Sequence, residues 1–204
     1  AYGEAGTGAA PAGQQPLVWV DPCRLTLKED GSFHIVAKNS DGTLALDLRL
    51  RPTRAPVFNG VGGLSQKAPG EGNGSHYYSL TRMETTGEVR VDGRSYSQVT
   101  GLSWFDREWS TSALGDGQVG WDWFALNLSD GADLMLYQLR RDDGTRSPFS
   151  SGTLRKPDGT IIHLPSEAYQ LQPGRTWKSQ DTGGHYPVEW KITLPEHALD
   201  VTVS

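Results

Sequence analysis

Leu44-Ala-Leu-Asp-Leu-Arg-Leu-Arg51 places a leucine at every even position and Asp47, Arg49 and Arg51 at odd ones. Successive side chains of an extended chain point to opposite faces, so a period of two buries one side and wets the other. The stretch reads as a strand, and Asp41-Gly42 stands just ahead of it as a turn signal.

That turn signal recurs. Seven Asp-Gly pairs begin at Asp30, Asp41, Asp92, Asp116, Asp130, Asp143 and Asp158. Glycine and, less readily, aspartate tolerate the positive φ angles of tight reversals, so each pair marks a place where a strand can turn back. The last four recur every 13 to 15 residues, which leaves room for one strand between turns, the rhythm of an antiparallel meander. Further strands are expected at Arg24–Lys28, Ser32–Lys38, Glu88–Val91, Val99–Trp109, Trp121–Leu128, Asp133–Arg140, Glu189–Leu194 and Leu199–Val203, with no amphipathic helix. Between Pro52 and Ser75 a Gly-rich stretch holds little suited to a sheet and is expected to cross between two β units. The Gly-, Ala- and Pro-rich residues 1–16 are expected to be a flexible segment; they lack a signal peptide's basic start and apolar stretch.

Composition narrows the function classes. The chain has 204 residues, a formal net charge of −5 and seven tryptophans. It is long enough for a sizeable core, and its charge balance removes the basic footprint that nucleic acid or an anionic membrane needs. No run is apolar enough to form an integral membrane helix. Cys23 is the only cysteine, so no intramolecular disulfide forms, and beside Pro22 it reads as a small core residue.

Two segments concentrate chemistry: Ser75-His-Tyr-Tyr-Ser79 and Trp104-Phe-Asp-Arg-Glu-Trp109. Period two puts His76 and Tyr78 on one face, and Trp104, Asp106 and Glu108 on one face of the other strand. With both faces inward, an imidazole, carboxyl groups and aromatic rings would surround one cavity. A carboxyl desolvated against aromatic rings keeps its proton to higher pH and can donate it, and the ring faces stabilise a developing carbocation. The competing reading makes the rings packed interior and pairs Asp106 with Arg82, Arg107 or a backbone amide. In Gly120-Trp-Asp-Trp-Phe124 the parity sets Asp122 beside Phe124, Leu126 and Leu128, where it needs a partner such as Arg82, Arg107 or Arg140, or orients a site. Tyr77, Glu108, Trp121, Asp122 and Trp123 are the candidate substrate-binding residues. Asp106 with Glu108 also matches the paired carboxylates of glycosidases, which lie roughly 5–9.5 Å apart. The histidines at 34, 76, 163, 185 and 197 lack metal-ligand spacing, and no Gly-x-Ser-x-Gly elbow is present.

The ordered set Ser75-His-Tyr-Tyr-Ser-Leu-Thr-Arg82, Gly101-Leu-Ser-Trp-Phe-Asp-Arg-Glu-Trp109, Gly120-Trp-Asp-Trp-Phe124, Leu134-Met-Leu-Tyr137 and Tyr186-Pro-Val-Glu-Trp190 resembles the carotenoid 1,2-hydratase-like family, whose members are also labelled hydroxyneurosporene synthase-like or predicted secreted hydrolases. The resemblance runs from about Trp19 to the C-terminus. It implies an all-β fold of antiparallel lipocalin-like β-barrels in tandem, incomplete here at both ends. Residues 17–70 would be the C-terminal part of the first barrel and the crossover, and residues 71–204 the second barrel. By position the resemblance assigns catalysis to His76, Tyr78, Trp104 and Asp106, although Tyr78 and Trp104 stand where the hydratases carry other aromatics.

The expected function is binding of a hydrophobic, isoprenoid- or lipid-like ligand, with hydro-lyase or cyclase chemistry on an alkene. Asp106 would donate the proton, His76 would partner it or orient water, and Tyr78 and Trp104 would stabilise positive charge. No cofactor or metal is implied. The alternative is a non-catalytic lipophilic-ligand carrier tied to export or the cell envelope, with a membrane-transport partner. The family's setting implies a periplasmic or secreted location.

Overall fold

The computed structural model describes residues 17–20, 22–110 and 114–204 in full and residues 5–7 as backbone. The expected flexible segment 1–16 otherwise lies outside the described residues. The described chain is all-β and antiparallel, with curled sheets of the lipocalin-like kind; its helical residues are two 3₁₀ turns, Ser166–Ala168 and Pro195–His197. Among the described residues no helix is long and apolar enough to cross a membrane.

The chain forms two compact units, Ala1–Val57 with Tyr78–Arg107, and Phe58–Tyr77 with Glu108–Ser204. Each takes residues from either side of position 70. The first nine strands are β1 (Ala5–Thr7), β2 (Val18–Val20), β3 (Cys23–Leu27), β4 (Phe33–Lys38), β5 (Leu44–Pro52), β6 (Val57–Phe58), β7 (Leu64–Gln66), β8 (Gly74–Val91) and β9 (Arg94–Ser110). In the first unit β1 to β5 pair in chain order, β5 then pairs with β8, and β9 pairs with β8. The leucine strand behaves as its period of two requires: Leu46, Leu48 and Leu50 are half-buried while Asp47, Arg49 and Arg51 are exposed. Asp47 bonds the His34 ring at 2.7 Å, and Arg49 and Arg51 form ion pairs with Asp30 and Glu84. Exposed pairs of this kind add little stability, so the apolar face holds the strand. Its core gathers Phe33, Leu80 and Met83, with Leu25, Leu27, Leu50, Tyr78 and Phe105 against them.

The Gly-rich stretch is more ordered than its composition suggests. It contains β6 and β7, both paired to β8. Between them Val61 and Leu64 exchange backbone hydrogen bonds of 2.9 and 3.1 Å across a turn whose Gly62 and Gly63 take φ of 62° and 89°. The glycines supply the left-handed backbone that a tight reversal needs, and the residues flanking them pair as strands.

The second unit continues with β10 (Gln118–Asn127), β11 (Asp133–Arg141), β12 (Ser151–Arg155), β13 (Ile161–Pro165), β14 (Gln170–Pro173), β15 (Thr176–Lys178), β16 (His185–Pro187), β17 (Trp190–Leu194) and β18 (Leu199–Val203). Strands β10 to β13 form the expected meander, with Asp130, Asp143 and Asp158 in its three connections. Strands β14, β17 and β18 form a second sheet. One core joins the two: Leu134, Leu136, Leu154 and Leu164 from the meander, Ile192 and Leu194 from β17, and Trp190 edge-on to Phe124 at 5.3 Å. Gly152 sits opposite Leu136, where a Cβ would lie 2.3 Å from the leucine side chain.

All seven glycines of the Asp-Gly pairs have positive φ, from 72° to 92°. Only Asp92 shares that conformation, with φ of 49°. At Asp41, Asp143 and Asp158 the carboxylate accepts the backbone N–H two residues on, from Thr43, Thr145 and Thr160, at 2.8 to 2.9 Å. These bonds hold the three carboxyls below their usual range: donation by the Thr43 and Thr145 side chains leads at Asp41 and Asp143, and the Thr160 backbone leads at Asp158. A depressed folded-state pKa gives stability that is present above the unfolded value of about 3.9 and is lost as pH falls through the folded value. Combining Asp41→Asn, Asp143→Asn and Asp158→Asn should therefore flatten the fall in Tm below about pH 4. An acid limb as steep as that of the unsubstituted protein, followed by circular dichroism, would refute this account of the turns.

Candidate functional site

Strand β11 is buried on both faces, and that decides where a site can form. Leu134 and Leu136 enter the core, while Tyr137 and Leu139 point the other way. On β10, Trp123 lies directly across from Tyr137 and Trp121 across from Leu139. With Tyr77 and Ser75 of β8, these four side chains line a pocket of about 270 Å³ within the second unit. The indoles are 56% and 44% exposed, so their faces are available at its mouth.

The polar groups of this pocket are few and connected. Lys67, just after β7, lies 3.0 Å from Glu108 Oε1, and its Nζ sits 3.9 Å from the centre of the Tyr137 ring. Ser75 Oγ donates to the same Glu108 oxygen. Trp123 Nε1 donates to the Tyr77 hydroxyl at 3.2 Å. Behind the pocket, the Tyr137 hydroxyl bonds Ser65 Oγ at 2.8 Å and Ser151 Oγ at 2.9 Å, and the Tyr169 hydroxyl donates to the Tyr137 carbonyl at 2.6 Å. Burial pushes the Tyr169 phenol well above its usual range, so it stays a neutral donor.

The expected residues divide. Tyr77, Glu108, Trp121 and Trp123 share this pocket. Asp122 does not: alternation turns it to the other face of β10, where Gln138 Nε2 donates to it at 2.8 Å and Arg140 lies at 3.8 Å. Arg140 is one of the ionic partners that its parity called for. In the first unit, Asp106 Oδ1 accepts from Trp104 Nε1 at 2.7 Å and from Ser79 Oγ at 2.5 Å. Tyr78 instead tilts against Phe105 at 6.4 Å, and alternation along β9 puts Phe105 opposite to Trp104 and Asp106. His76 belongs to the second unit, where its exposed ring stacks on Trp109 at 5.5 Å. Trp104 and Asp106 are thus together, and Tyr78 is on the far face of the same ribbon.

Lys67, Ser75, Ser65 and Tyr137 escaped the sequence reading. Three of them carried a usable signal: Ser75 opens the Ser-His-Tyr-Tyr-Ser segment, Tyr137 ends Leu-Met-Leu-Tyr, and Lys67 is the one cation in the Gly-rich stretch after Arg54. Among the described residues no three His, Cys, Asp or Glu side chains converge as metal ligands.

Replacing Tyr137 by Phe keeps the ring beneath Lys67 but leaves the buried Ser65 and Ser151 hydroxyls without their shared partner. The expected loss is about 1–3 kcal/mol in urea denaturation. Unchanged stability would show that the two serines do not depend on the phenol.

Two solved structures are similar to this chain. A protein described as an AttH from Nitrosomonas europaea is 31% identical, with a TM-score of 0.81 over 88% of this chain and 55% of that one. Kievitone hydratase from Nectria haematococca is 21% identical, with a TM-score of 0.68 over 93% of this chain and 56% of that one, and shares the fold. The chain therefore spans a little over half the length of either. No curated protein matches it. The AttH-like family model matches residues 2–204, and the chain belongs to the AttH-like family.

Proposed function

We propose that this chain binds a hydrophobic, isoprenoid- or lipid-like ligand and assists hydration or cyclisation of an alkene within it, as a carotenoid 1,2-hydratase-like member of its family. The observation that carries the reading is the pocket framed by Tyr77, Trp121 and Trp123. Three ring faces around a small number of bonded polar groups suit an apolar body, which gains about 25 cal/mol for each Å² removed from water. The proposed reaction centre is apart from this pocket, at Asp106 in the first unit, where the Trp104 ring favours a cationic intermediate. That a hydratase has this fold lends the reaction class support.

The proposed proton donor is Asp106, whose Oδ1 is fixed by Trp104 and Ser79. The acid form of Asp106 gives up its carboxyl proton. That proton adds to one alkene carbon, water attacks the cationic neighbour, and the surplus proton returns to the carboxylate. The net change is addition of one water. In cyclisation a second double bond takes the place of water, and a carbon-bound proton is lost instead.

A carrier is the second reading, and one observation favours it. Of His76, Tyr78, Trp104 and Asp106, the last two are joined by a hydrogen bond, while Tyr78 packs with the first unit's core and His76 stacks on Trp109. Incubation with isoprenoid alkenes in ¹⁸O-labelled water separates the readings. The enzyme reading expects product heavier by one labelled water on hydration, or a chromatographically distinct isomer of unchanged mass on cyclisation, either reduced at least about 100-fold in Asp106→Asn. Alkene recovered unchanged from a stable complex identifies a carrier, and neither product nor complex would refute both.

A further inference from the structure

The Lys67 and Glu108 pair has unused bonding capacity that specifies what the polar end of a ligand must be. Glu108 Oε1 is occupied by the Lys67 ammonium and by Ser75 Oγ. Its other oxygen, Oε2, is an acceptor on a side chain that is 41% exposed at the pocket. Lys67 is 13% exposed; it directs one N–H to Glu108 and lies over the Tyr137 ring, and an ammonium has three N–H groups. The pocket therefore offers one charged acceptor and one charged donor side by side, inside aromatic walls.

We propose that this pair recognises a neutral hydroxyl group, alcoholic or phenolic, on an otherwise apolar ligand. A hydroxyl oxygen accepts from Lys67 while its proton is donated to Glu108 Oε2, so one group completes both. A carboxylate satisfies Lys67 but sets two negative charges together at Glu108. An ammonium satisfies Glu108 and is repelled by Lys67. A hydrocarbon end desolvates the ion pair while leaving its remaining donor and acceptor positions unfilled, a costly outcome for a partly buried pair. The ring faces of Trp121 and Trp123 then hold the apolar remainder. For a hydratase, the alcohol end of a product meets the same requirement. The inference rests on the reading that this pocket is the ligand site, and it adds the chemistry of the ligand's end.

The test compares four probes of one shape by quenching of tryptophan fluorescence at pH 7: 2-naphthol, 2-naphthoate, 2-naphthylmethylammonium and 2-methylnaphthalene. The expected order places 2-naphthol about tenfold or more tighter than each of the others. In Glu108→Gln the penalty on 2-naphthoate should shrink to within about threefold of 2-naphthol, because the repelling charge is gone while the fold and Lys67 remain. In Lys67→Met the advantage of 2-naphthol over 2-methylnaphthalene should disappear. Equal binding of all four probes, or tighter binding of either ion, overturns the hydroxyl inference and leaves the ligand pocket standing. No binding of any probe overturns both.

Discussion

Tyr137 is held at three points at once. Its hydroxyl is shared by Ser65 and Ser151, its carbonyl accepts from Tyr169, and its ring lies under the Lys67 ammonium. Ser65 comes from a short strand in the Gly-rich stretch and Ser151 from the meander, so one phenol ties segments 72 and 14 residues distant to the middle of β11. A buried hydroxyl with two hydroxyl partners is well satisfied, and it fixes the ring plane on which the cation rests. The Lys67 ammonium thus rests on a ring whose hydroxyl and backbone are both tied by hydrogen bonds, with Glu108 as its counter-charge.

The pocket follows from this. Leu134 and Leu136 of β11 fill a core with Ile192 and Leu194, and Tyr137 and Leu139 face an opening walled by the indoles of β10. A strand buried on both faces has no wet side, so its one polar ring must find partners within the protein, as Tyr137 does. Lys67 and Glu108 then make the polar spot of the pocket, and their mutual distance of 3.0 Å leaves each with capacity for a further partner.

Much of the fold was legible, and for simple reasons. Period two at Leu44–Arg51 and the positive-φ glycines after aspartate are local properties that tertiary contacts did not override. Tyr77, Trp121 and Trp123, named as binding candidates, line one pocket, and the need for a partner that parity gave Asp122 is met by Arg140. What parity cannot say is which face of a ribbon turns toward which neighbour. His76 and Tyr78 were therefore expected to meet Trp104 and Asp106, yet Tyr78 lies across the ribbon from them. Lys67 and Ser65 were missed because a stretch of glycines hides short strands whose pairing is set by β8, a partner beginning eight residues beyond Gln66.

The central claim is that the aromatic pocket of the second unit receives the ligand. Photocrosslinking with a diazirine-bearing isoprenoid alcohol, followed by peptide mapping of the intact chain, tests it directly. The account predicts adducts on peptides containing Tyr77, Trp121, Trp123 or Tyr137, suppressed by excess unlabelled alcohol. Suppressible adducts confined to residues 24–52 would contradict it.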